Sequence, residues 1–190
     1  MKPNPAASGG KEGVIFVVAK AKGAGNEITY KIFALDLADG KPLSAGKPIS
    51  GSVSGPSGTT ITFTPLFHLN RPALLLDQDV LYIAFGGHCD IGNYRGWLFA
   101  YNVSNPANPT LLDRFTTTFR VRPNPQSKEG RAGIWMSGGG LAAVDGAFYF
   151  ATGDGTYDVS NPAFRNFGNA VLKGELVDGK IKIQDWFVRS

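Results

Sequence analysis

Two histidines and one cysteine are the only side chains of their kind in this sequence: His68, His88 and Cys89. The run His88-Cys89-Asp90 follows Gly86-Gly87, which places it on a loop rather than within a strand. Imidazole, thiolate and carboxylate together can ligate a transition metal, so His88 and Asp90 are candidate ligands. A structural zinc site needs four such donors at tighter spacing, and they are missing here. Cys89 could act as a nucleophile if a base lay beside it. Adjacent residues on an extended chain point to opposite sides, so His68 is geometrically the better base than His88. The competing reading is that His88 and Asp90 make loop hydrogen bonds and that Cys89 is a small buried residue.

A second group, Asp154, Asp158, Asn161 and Asn166, lies in one glycine-containing loop. Hard oxygen donors on a loop suit Ca2+, which makes Asp154 and Asp158 candidate metal ligands. Their spacing does not match the helix-flanked calcium loop, and ordinary Asx turns are the alternative. Ser137 precedes Gly138-Gly139-Gly140, but no strand–turn–helix elbow surrounds it. No helix follows the glycines to complete a phosphate cradle, so they read as the tight start of a strand. Trp97, Trp135 and Trp186 fall at strand ends and read as packing between repeated units rather than as a sugar platform.

The elements that must position these residues are strands. Val14 to Ala19, Thr29 to Leu37, Val80 to Phe85, Trp97 to Val103, Leu111 to Phe115, Ala147 to Thr152, Asn169 to Leu176 and Lys180 to Phe187 are apolar or alternating, and turn residues bound them. Asp39-Gly40, Asp145-Gly146 and Asp178-Gly179 are hairpin signals. No helical period is present. The Gly/Ser/Pro-rich stretch 44–60 predicts a long loop. Strands beginning at Val14, Val80 and Ala147 recur at spacings of 66 and 67 residues, and each runs into a glycine. A fixed period with one supersecondary unit per repeat marks a repeat architecture. Four antiparallel strands per unit point to β-propeller blades. The expected fold is therefore all-β, an incomplete ring of about three blades at residues 14–59, 60–131 and 132–187, with three, four and four strands. Tyr101 to Ala107 resembles Tyr157 to Ala163 at an offset of 56 residues, out of phase with the strands, and reads as a reused turn.

Composition narrows the function classes. The chain is 43% hydrophobic and 18% charged, with 25 glycines and 12 prolines, which suits many short strands and tight turns rather than disorder. Its net charge is +4, but the basic residues are scattered, whereas nucleic-acid binders cluster them. One cysteine allows no intrachain disulfide. Residues 1–13 are polar and read as a flexible leader, not a signal peptide. No apolar run is long enough to span a membrane.

The segment Phe33 to Lys41, with Ala34, Asp36 and Gly40-Lys41, resembles the blade-closing segment of quinoprotein-like (pyrroloquinoline-quinone-type) propeller repeats. His68 to Pro72, Ile83 to Trp97, Ile134 to Gly140 and Phe150 to Gly155 are similar to those of bacterial members. The resemblance implies a closed ring of about six to eight blades. Three blades leave such a ring open, so it implies completion by further blades or by a homo-oligomer. The adjacent cysteine pair of quinone-dependent dehydrogenases is absent, so PQQ is not expected to be held by this chain alone. The family is often extracytoplasmic. Two functions are expected to compete. One is a binding or scaffold module, open to a small-molecule ligand, built on loops around His68, His88 to Asp90 and Asp154. The other is a metal-assisted hydrolase or oxidoreductase whose site forms on blade loops or between chains.

Overall fold

A computed structural model describes residues 13–120, 127 and 129–188. All but the last residue of the expected leader, and most of the polar stretch at 121–128, lie outside it. The strands in chain order are β1 (Val14–Lys22), β2 (Ile28–Asp36), β3 (Lys47–Pro48), β4 (Ser52–Ser54), β5 (Thr60–Thr62), β6 (His68–Leu69), β7 (Leu75–Asp77) and β8 (Val80–Gly87). They continue with β9 (Trp97–Asn102), β10 (Thr110–Thr116), β11 (Ala142–Val144), β12 (Ala147–Ala151), β13 (Tyr157–Asp158), β14 (Asn166–Phe167), β15 (Ala170–Val177) and β16 (Lys180–Val188). Short 3-10 turns aside, no helix occurs among the described residues, and the fold is all-β.

Three antiparallel sheets follow one another along the chain. The first is β1-β2-β3, the second β7-β8-β9-β10 with β6 also on β8, and the third β11-β12-β15-β16. The main strands thus number three, four and four, as the repeat implies. Asp145-Gly146 and Asp178-Gly179 both have positive φ at each residue (51° and 79°, 51° and 71°), as a two-residue type I′ hairpin requires. At Asp39-Gly40 only the glycine does, and the turn closes through Gly40 N–H to Asp36 O at 2.8 Å.

The sheets stack face to face, and the alternation along β8 and β9 shows how. Leu81, Ile83, Phe85, Trp97, Phe99 and Tyr101 face the first sheet and meet Tyr30, Ile32, Ile49 and Phe63. Tyr82, Ala84, Leu98 and Ala100 face the third and meet Phe148, Phe150, Leu172 and Ile181. A strand period of two sends successive side chains to opposite faces, so a sheet sandwiched between two others is apolar throughout. Phe63 is the centre of the first interface. Its ring lies 4.7 Å from Phe85, 5.1 Å from Phe99 and 4.9 Å from His68.

The stretch 44–60 is not the featureless loop expected of it. Lys47 pairs with Ile32, and the β4–β5 hairpin lies over the second sheet, where the Arg114 guanidinium Nε donates to Ser52 O at 2.7 Å. Its apolar Ile49 and Val53 join the core, with Ile61 just beyond it, which outweighs the turn-forming bias of its glycines and serines. The reused turn is confirmed in detail. Ser104 and Ser160 each donate N–H and hydroxyl to Oδ1 of the residue two before them, Asn102 and Asp158. Asn105 and Asn161 accept from Ala107 and Ala163.

At one end of the stack, residues 131–134 strap the second sheet to the third. Arg131 bridges Arg95, and Ile134 N–H donates to Phe85 O at 3.2 Å. On the other side Ala132 N–H reaches Asp154 O and Gly153 N–H reaches Gly133 O, each at 2.8 Å. Thr117 locks the strap through Oγ1 to Ala132 O at 2.7 Å.

Candidate functional site

Trp135 leaves this strap with its indole laid on glycine. A Cβ built on Gly86, Gly133 or Gly153 would come within 2.8, 2.9 or 2.8 Å of the ring. These glycines come from the end of β8, the strap and the residues after β12, so three segments form one floor. Side-chain-free backbone is the only surface that lets an indole approach this closely. Tyr94 meets Trp135 edge-on at 6.2 Å between centroids. The indole is half-buried and lines a cleft of about 360 Å³ with Arg71, Cys89, Asp90 and Ser137.

Two pairs of residues on the rim hold left-handed backbone: Cys89 and Asp90 (φ 53° and 52°), and Met136 and Ser137 (φ 46° and 49°). Non-glycine residues in this region carry a steric cost and concentrate at binding and catalytic sites. The cleft offers guanidinium donors from Arg71, a carboxylate from Asp90, a hydroxyl from Ser137, a thiol from Cys89 and the indole face. It can therefore hold a small molecule that is polar on one side and flat and apolar on the other.

The structure separates the two histidines. His68 is buried at 1% exposure and both its ring nitrogens are taken. Nδ1 lies 2.7 Å from Thr64 O, and Nε2 accepts the Arg95 N–H at 3.3 Å. That pairing sets a neutral ring with the proton on Nδ1. Burial, reinforced by the charges of Arg95 and Lys20, lowers its pKa to about 4 despite the Thr64 hydrogen bond. His68 thus has no nitrogen free to serve Cys89 as a base, and its role is to tie β6 to the loop before β9. The sequence places it near a reactive loop; only the packing shows that the ring faces Phe63 and the core.

His88 sits at the surface end of the same loop. Its Nδ1 lies 3.3 Å from the Lys20 ammonium, which also donates to His68 O at 3.2 Å. The Tyr30 hydroxyl donates to that carbonyl at 3.0 Å. Burial holds the Lys20 pKa below its ordinary value, and the nearby Cys89 partly restores it. Cys89 is exposed, not the buried small residue of the alternative reading. Lys20, 68 residues from His88, had no sequence signal.

The second group disperses. The Asp154 carboxylate pairs with Arg131 at 3.2 Å and the Asp158 carboxylate with Arg120 at 3.4 Å. Asn161 makes its Asx turn, and buried Asn166 accepts from the Thr118 hydroxyl and the Phe119 N–H, both at 2.8 Å. Among the described residues, no three His, Cys, Asp or Glu side chains converge as metal ligands. No helix among them is long and apolar enough to cross a membrane. Trp97 is fully buried between the first two sheets, as a packing role requires, whereas Trp135 is not. The signal for Trp135 was the glycine after the second strand of each repeat, Gly86 and Gly153, which reads locally as a strand end. Comparison with family models, with characterised proteins and with solved structures returns no match.

Proposed function

We propose that this chain is a propeller-type binding module. Its three sheets act as blades, and its ligand site is the cleft between the His88–Asp90 loop and Trp135–Ser137. The half-buried indole on a floor of three glycines carries the reading. Burying it fully would remove more apolar surface from water, yet the fold presents one face to the cleft beside Arg71. The ligand class that fits is a small molecule with a flat apolar face for Trp135 and an acidic group for Arg71. A fragment library of aromatic carboxylates, followed through the Trp135 indole N–H resonance, tests this. Hits should shift that resonance and be lost in both Trp135→Leu and Arg71→Ala. Hits that bind both variants unchanged would place the site elsewhere.

The quinoprotein-like family remains part of this proposal. It is supported by the repeat period and by the stacking of successive sheets. The same stacking supports completion of the ring by further copies, because the outer faces of the end sheets carry exposed Ile15 and Val17 at one end and Val171 and Phe187 at the other. Phe187, 70% exposed, is the largest of these. Light scattering should give a mass above that of one chain, reduced to one chain by Phe187→Asp; a monomer at all concentrations would remove this part of the reading.

A further inference from the structure

The β4–β5 hairpin has two chemically distinct faces. Ser52 pairs with Thr62, Val53 with Ile61 and Ser54 with Thr60. A strand period of two puts Val53 and Ile61 on one side, where both pack against the core between the first two sheets. Ser52, Ser54, Thr60 and Thr62 share the other side. The first three of these border a cavity of about 320 Å³ beside β10 and the start of β16, whose other polar residues are Asp113, Arg114 and Lys180. This cavity has no residue in common with the Trp135 cleft.

Arg114 is the fixed point of the cavity. Its Nε donates to Ser52 O at 2.7 Å, which sets the plane of the guanidinium. Its stem lies against Gly51, where a Cβ would come within 3.3 Å of both Arg114 Cδ and the Phe99 ring. Among the described residues, neither Nη group of Arg114 has a hydrogen-bond acceptor and no carboxylate pairs with it. Neither Nη is sealed in by protein. The neighbouring Asp113 is engaged elsewhere: its Oδ2 accepts the Ile181 N–H at 2.9 Å, and its Oδ1 lies 3.7 Å from the Lys180 ammonium. The Ser52, Ser54 and Thr60 hydroxyls also make no hydrogen bond to a described residue. A guanidinium fork held in place with both Nη groups open matches the paired oxygens of an oxyanion.

We propose that this cavity binds a tetrahedral oxyanion of the phosphate type, free or esterified to a small hydroxylated molecule. The two Nη groups take two of its oxygens, and the hydroxyls of the hairpin donate to the others. Lys180 adds a second positive charge. A carboxylate, with two oxygens only, leaves the hydroxyls without acceptors. At about 320 Å³ the space is at the small end of ligand pockets, the size class of a sugar phosphate. The proposal is independent of the Trp135 cleft and of any ligand bound there.

The test titrates inorganic phosphate, glucose 6-phosphate and glucose into the full chain at constant ionic strength, and follows the Arg114 Nε–H and Ser54 amide resonances. Both anions should shift them saturably, with dissociation constants of about 1 mM or below, and glucose should not. Tighter binding of the ester identifies an esterified ligand and equal binding identifies the free ion; either result upholds the site. Arg114→Lys should weaken binding by about tenfold or more, because one ammonium cannot hold Ser52 O and two ligand oxygens together. Ser54→Ala and Lys180→Ala, at exposed positions, should keep the fold and weaken binding by about threefold each. Failure of both anions to shift either resonance at about 20 mM would overturn the proposal. So would shifts that sodium chloride reproduces, or affinities that stay unchanged in both the Ser54 and the Lys180 variants.

Discussion

Acidification should destabilise this protein through His68. The ring is neutral in the folded chain, with a pKa lowered to about 4 from an ordinary value of 6.5, first by burial and then by Arg95 and Lys20. The unfolded chain therefore binds a proton on His68 between pH 6.5 and 4 that the folded chain does not. Stability rises with pH wherever the unfolded state holds more protons, so it falls as pH drops through this window. A shift of about 2.5 units corresponds to about 3 kcal/mol in full, of which about 2 kcal/mol is lost between pH 7 and pH 5. Such a loss is a large fraction of the stability of a typical domain. Urea unfolding at pH 7, 6, 5 and 4.5 measures it. His68→Gln removes the titration while keeping a polar side chain opposite Thr64 O and Arg95 N–H. The variant should be less stable at pH 7 but lose about 2 kcal/mol less than wild type on going to pH 5. Parallel pH profiles for the two proteins would refute the claim that burial holds His68 neutral.

The glycine floor predicts a steric result. Gly153→Ala puts a Cβ within 2.8 Å of the Trp135 ring, so the indole must move. Its fluorescence should change and stability fall by about 1–3 kcal/mol, as overpacking does, which a thermal melt with parallel emission spectra checks. Between the second and third sheets, Asp113 Oδ2 accepts the Ile181 N–H at 2.9 Å while Lys180 lies 3.7 Å from Oδ1. Asp113→Ala should cost about 1–3 kcal/mol in denaturant unfolding because it strips a half-buried N–H of its acceptor. Lys180→Ala, which loses only an exposed ion pair, should cost under about 1 kcal/mol.

What could be read directly in the residues was local. The Asp-Gly pairs at 145 and 178 adopt the left-handed backbone that their types favour, and the two Asn/Asp-x-Ser turns repeat the same hydrogen bonds, because each depends on a few adjacent residues. The 66- and 67-residue spacing is that of β1, β8 and β12, each of which pairs antiparallel with the next long strand of its own sheet. Phe63 and the 44–60 stretch escaped that reading, since glycines and serines there look like a loop until Ile49 and Val53 find a core across the sheet. The candidate site was legible in part. Cys89 and Asp90 do line the cleft, but His68 turns inward and Asp154 and Asp158 go to arginines. The sequence alone determined the long strands, their order and the Asp-Gly turns at 145 and 178, through side-chain alternation and backbone preference over short spans. Only the tertiary structure decided which groups face the cleft and which turn inward. Those outcomes rest on contacts such as Lys20 with His88 and Trp135 with Gly86, between segments that no local pattern relates.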